Sequence, residues 1–159
     1  MDSLALARVV HVLGVVLWIG GVSMVTTVLL PALRRMKNTD DPIALFERIE
    51  GAFGLQAKVT TLATGLTGFY MLHAMDAWQR YTQVHYWWLH LMTLVWFLFT
   101  LVLFVFEPLF LHRWFSEAGA QDPTRTLARA QRLHAVLLTA SLLAIVGAVA
   151  GGHGWFFIH

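Results

Sequence analysis

The chain has 159 residues, 58% of them hydrophobic and only 13% charged, with a mean hydropathy of +0.65. That balance excludes an ordinary soluble domain and points to an integral membrane protein with the lipid bilayer as its first partner. A formal charge of +2 gives no reason to expect nucleic acid, and with no cysteine any metal or haem must be held by His, Met or carboxylate.

A bilayer core about 30 Å thick requires roughly 20 apolar residues per helix. Residues 4–33, 51–75, 84–111 and 133–157 meet that requirement. The first stretch, which includes "HVLGVVLWIGG" at 11–21, is too long for a signal peptide and lacks a small-residue cleavage site, so it is expected to stay as a helix. The connection after it, "RRMKNTDDPIALFERIE", turns at Asp41-Pro42. Its apolar Ile43, Leu45, Phe46 and Ile49 predict a short amphipathic helix at the membrane interface. Ala57, Thr61, Gly65 and Gly68 form a small-residue stripe on the second span, as do Ala140, Ala144, Ala148 and Gly152 on the fourth; both are expected helix-packing faces. The connection "HRWFSEAGAQDPTRTLARAQR" breaks at Asp122-Pro123 and then leads helically into the fourth span.

Arg34, Arg35, Lys37 and Arg48 follow the first span and Arg113, Arg125 and Arg129 follow the third, against only Arg8 and Arg80 on the other side. The positive-inside rule then makes both basic connections cytoplasmic and both termini external. The expectation is a single all-α domain over 1–159, an integral four-helix up-down bundle, multi-pass in a bacterial inner membrane.

The eight histidines sort by depth. At 1.5 Å per residue, His11 lies roughly 10 Å below the outer end of the first span, and His90 lies at similar depth on the third. His73, His85 and His153 are nearer the outer surface, His159 is terminal, and only His112 and His134 lie toward the cytoplasm. A lone intramembrane histidine is accounted for by an interhelical hydrogen bond, but two at matched depth on different helices suit axial ligation of haem b. Trp18 shares the His11 face, with Gly14 and Gly21 on or near it. The glycines could pack helices or clear room for a flat cofactor. Arg8, one turn outward, would either pair with a haem propionate or reach the headgroups.

Met71, His73 and Met75, with His85 and His153 at comparable height, form an alternative copper cluster, since thioether and imidazole suit Cu(I). The i, i+2, i+4 spacing on one helix argues against all three converging. Toward the cytoplasmic side, Lys58 and Glu107 are placed to form an intramembrane ion pair near Gln56 and Arg132. It would lock the helices together, with a proton or quinone site as the functional alternative.

The Arg8, His11, Trp18, Gly21 pattern resembles the first span of the CopD/HemJ-like four-helix membrane proteins, and "WWLHLM" at 87–92 is similar to their Trp-Leu-His-x-Lys motif. The resemblance implies a haem b ligand role for His11 and either redox or copper-related function. Met92 stands where the HemJ pattern has lysine, so it implies a haem-binding membrane protein rather than protoporphyrinogen oxidation. The expected function is electron transfer or a haem-dependent oxidoreductase reaction near the outer leaflet, with quinone or another redox partner. Copper binding or transport and a haem-free structural subunit are the alternatives, and homo-oligomerisation stays open.

Overall fold

The computed structural model describes residues 2–36 and 41–155, with the side chains of 110–112 left aside. Every regular element among these residues is helical. Lys37 and His159 lie outside the described residues, and so does the His112 side chain.

Helix α1 (Ser3–Met24) starts where the Asp2 carboxylate accepts from the Leu4 amide, satisfying one of the free donors of a helix start. It runs through a π-helical turn, Val25–Leu29, into α2 (Leu30–Arg34). Helix α3 (Pro42–Ala74) opens with Asp41 accepting from Ile43 and Ala44, and with Pro42 in the first turn, where its missing N–H costs nothing. Two short 3-10 turns lead into α4 (Trp87–Leu101), which continues as π helix over Val102–Leu111. Pro108 in that segment cannot donate to a carbonyl one turn back, and the widened helix absorbs the loss. Helices α5 (His112–Gln121) and α6 (Pro123–Gly152) are separated at Asp122, whose carboxylate accepts from the Arg125 amide.

Among the described residues, three helical stretches, Ser3–Arg34, Val84–Leu109 and Pro123–Gly152, are long and apolar enough to cross a membrane. They carry large exposed apolar side chains such as Val16, Phe97 and Val146, a surface suited to lipid rather than water. Helix α3, which covers the expected second span, is not among the three. It is the polar one, with Gln56, Lys58 and the threonines at 60, 61, 64 and 67. Thr60 and Thr67 turn their hydroxyls onto carbonyls one turn earlier, which lets them sit against a neighbouring helix without stranded donors.

The separate interfacial helix expected at 43–49 does not form; those residues are the first turns of α3. Ile43 and Phe46 are buried in a cluster with Leu30, Leu33, Phe115 and Leu127, so their apolar face meets protein. A second cluster joins Trp18, Ile19 and Val22 of α1 to Val95 and Phe99 of α4 and Leu138 of α6. Helix α1 lies along α3, and α4 along α6.

Candidate functional site

Between the two helix pairs lies a cavity of about 420 Å³, reached from the end of the molecule that bears the α3–α4 connection. Its chemistry starts with His11. The imidazole Nδ1 is 2.9 Å from the Thr64 carbonyl and 3.3 Å from Thr67 Oγ1. A carbonyl can only accept, so Nδ1 carries the proton and Nε2 keeps its lone pair. Gly68 makes the approach feasible: a Cβ there would stand 3.1 Å from the His11 ring. Gly65 does the same for Trp96, whose indole N–H donates to the Thr61 carbonyl at 2.9 Å.

The remaining walls are aromatic and thioether. Trp18, Phe69, Tyr81 and Trp88 line the cavity, as do Met71, Met75 and Met92. Arg80 is its one lining Lys or Arg and lies over the Tyr86 ring at 5.3 Å. Two buried polar atoms on the wall, Trp18 Nε1 and Thr64 Oγ1, have no hydrogen-bond partner among the described residues. Unpartnered buried donors are costly in an apolar interior.

Not every residue singled out in the sequence comes to this cavity. His90 is exposed, its ring 5.3 Å from Tyr81, and it does not line the space that His11 lines. The cause is rotational: Trp87 and Trp88 fill the clearance over Gly147, and Trp88 also that over Gly151, which turns Trp88 inward, and two residues at about 100° each carry His90 to the far side. Arg8 is exposed and away from the cavity, and Arg80 occupies the cationic position instead. Gly14 and Gly21 do not clear a cofactor slot. A Cβ at Gly14 would stand 2.5 Å from Thr64 Oγ1, and one at Gly21 would strike the Phe53 ring, so both are sites of α1–α3 contact.

The expected copper cluster is divided in the same way. Met71 and Met75 line the cavity, whereas His73 and His153 are exposed and the His85 ring lies tilted against Tyr86 at 4.3 Å. Among the described residues no three His, Cys, Asp or Glu side chains are grouped to hold a metal ion. Met92 and Arg80 are the functional candidates that depth sorting missed; Met92, four residues after Trp88, shares its face.

At the other end, Lys58 Nζ lies 3.2 Å from Glu107 Oε1, joining α3 to the π-helical segment. Gln56 and Arg132 are exposed and take no part in this contact. Comparison with family models, with curated proteins and with solved structures finds no match.

Proposed function

We propose that the protein is a haem b protein of a bacterial inner membrane, transferring electrons near the outer leaflet, with the His11 cavity as its haem site. The observation that carries this reading is the His11 imidazole, whose Nδ1–H is held by the Thr64 carbonyl while Nε2 stays free on a ring lining the cavity. That is how proteins orient a ligating histidine and raise its basicity. The surroundings fit a flat, partly acidic group: aromatic walls from Trp18, Phe69 and Trp88, and the Arg80 guanidinium for a carboxylate. The second ligand comes from the thioethers of Met71, Met75 and Met92, which line the same space.

Size favours an organic group over a single ion. A cavity of about 420 Å³ is in the range that takes a small organic molecule, far more than one ion needs, and Arg80 would repel a cation. The shared lining of His11 with three methionines is what favours copper as a second reading. When bound, haem supplies a one-electron couple; the chain's own residues orient it, shield it from water and balance its acids. With four spans and external termini, as the charge bias of the sequence predicts, this cavity would open toward the outer leaflet, where a quinol or small reductant would meet it, whether the protein acts as a carrier or an oxidoreductase.

Absorption spectra of the purified protein before and after dithionite test the proposal. A Soret band that is lost in His11→Ala and kept in His90→Ala is expected. No band in the unaltered protein, as for a haem-free structural subunit, or a band that survives His11→Ala, overturns it. Copper retained by the unaltered protein and released by Met71→Leu with Met75→Leu would transfer the cavity to the second reading.

A further inference from the structure

A second, smaller cavity of about 80 Å³ lies toward the end of the molecule that carries the basic connections. Three titratable side chains from three elements line it: Glu50 of α3, Glu107 of the π-helical segment and His134 of α6. Most of the remaining wall is apolar, from residues such as Val22, Phe53 and Phe99. We infer that this cavity is an exchangeable proton site, in which Glu50 and Glu107 share a proton with His134 as a further base.

Charge balance is the first argument. Lys58 pairs with Glu107 at 3.2 Å, leaving the negative charge of Glu50 uncompensated, and Glu47 adds a further negative charge close to Glu50. Helix α1 contributes Trp18 and Val22 to this cavity, the π-helical turn after it contributes Val25, and neither brings a charge. Carboxylates that face one small, largely apolar space repel each other, and holding a proton in common relieves that repulsion.

The ligand is a proton rather than a metal ion because no three His, Cys, Asp or Glu side chains among the described residues converge closely enough to bind one. Hard cations require six or more oxygens, and this wall offers two carboxylates. His134 is set for the same role. Its Nδ1 lies 2.9 Å from the Ala130 carbonyl of its own helix, so Nδ1 is the donor and Nε2 the acceptor.

Access and placement support the inference independently. Glu50 is exposed whereas Glu107 and His134 are half-buried, which gives the cavity a carboxylate at its rim and two bases within. Trp18 is 4% exposed, lines both cavities, and has an indole N–H without a partner among the described residues. It is a donor set in the wall between the two spaces. Gly54 of α3 faces Glu107, and a Cβ there would stand in ordinary contact, 3.7 Å from Glu107 Oε1.

Dicyclohexylcarbodiimide, an apolar reagent that modifies protonated carboxyl groups, tests this on the full chain in detergent micelles, with the modified residue located by mass spectrometry. Modification at Glu50 or Glu107 is expected, falling about tenfold for each unit of pH above the titration point, and lost at the altered residue in Glu50→Gln or Glu107→Gln. The exposed Glu117 of α5 should stay unmodified and serves as the internal reference. The unaltered protein carries the main result, so misfolding of a variant does not decide the outcome. Absence of modification at both residues, modification equal to that of Glu117, or protection by sodium but not potassium overturns the inference. None of these outcomes depends on whether haem is bound.

Discussion

The Lys58–Glu107 contact allows a quantitative test of the helix packing. Two unit charges 3.2 Å apart attract by about 5 kcal/mol at an effective dielectric constant of about 20. Both side chains are about a third exposed, at 32% and 36%, and polar contacts within membrane proteins average nearer 0.6 kcal/mol because the unfolded chain also finds partners. A coupling of about 1–3 kcal/mol is therefore expected between these limits. Each single replacement, Lys58→Met or Glu107→Gln, should cost about 2–4 kcal/mol, because it strands the opposite charge. The double variant should cost less than the sum of the two by that coupling. The assay is unfolding in mixed micelles by titration with dodecyl sulfate, followed through the fluorescence of the seven tryptophans. Additivity within about 0.5 kcal/mol, the limit for independent sites, would show that the pair does not hold the helices together.

Two further predictions concern the scaffold. Gly14→Val should destabilise by about 1–3 kcal/mol, since even a Cβ there meets Thr64 Oγ1 at 2.5 Å and the Thr60 carbonyl at 3.3 Å; Gly20→Ala, with nothing within 4 Å, should be neutral or slightly stabilising, and equal effects in the same unfolding assay would refute the assigned packing face. Asp41→Ala removes the acceptor for the Ile43 and Ala44 amides at 3.0 and 3.1 Å and should cost about 1 kcal/mol, whereas Asp41→Asn should cost little, as measured by thermal unfolding.

What the sequence made legible is translation along the helices. Matched depth brought Lys58 and Glu107 within reach of each other from different elements, and Asp122-Pro123 marked the break before α6. Rotation about each helix axis was not legible, because it is set by which neighbour a face meets. His90 has the depth of a haem ligand, yet the packing of Trp88 against Gly147 and Gly151 turns it outward and brings Met92 in. Arg8 and Arg80 exchange roles for a related reason. Arg8 shares a helix face with His11, but only the connection after α3 folds back over the cavity. The expected interfacial helix at 43–49 failed on a different point. An apolar stripe indicates a buried face without saying whether lipid or protein covers it, and here Leu30, Phe115 and Leu127 do.

Helix α3 links the two cavities physically. The Thr64 carbonyl that orients His11 and the ammonium of Lys58 that engages Glu107 are six residues apart, about 9 Å along one helix. A displacement of α3 along α1 would therefore disturb both contacts together, whereas a change within the Lys58 pair should leave the His11 hydrogen bond in place. Trp18 is the second link, packed edge-on against Phe99 at 4.9 Å and lining both spaces. Thr60 and Thr67 lower the cost of packing a polar helix against α1 by bonding to their own backbone, whereas Thr61 and Thr64 keep buried hydroxyls without a partner among the described residues. What α3 adds is a carbonyl held against the His11 ring from a neighbouring helix and a cation beside Glu107.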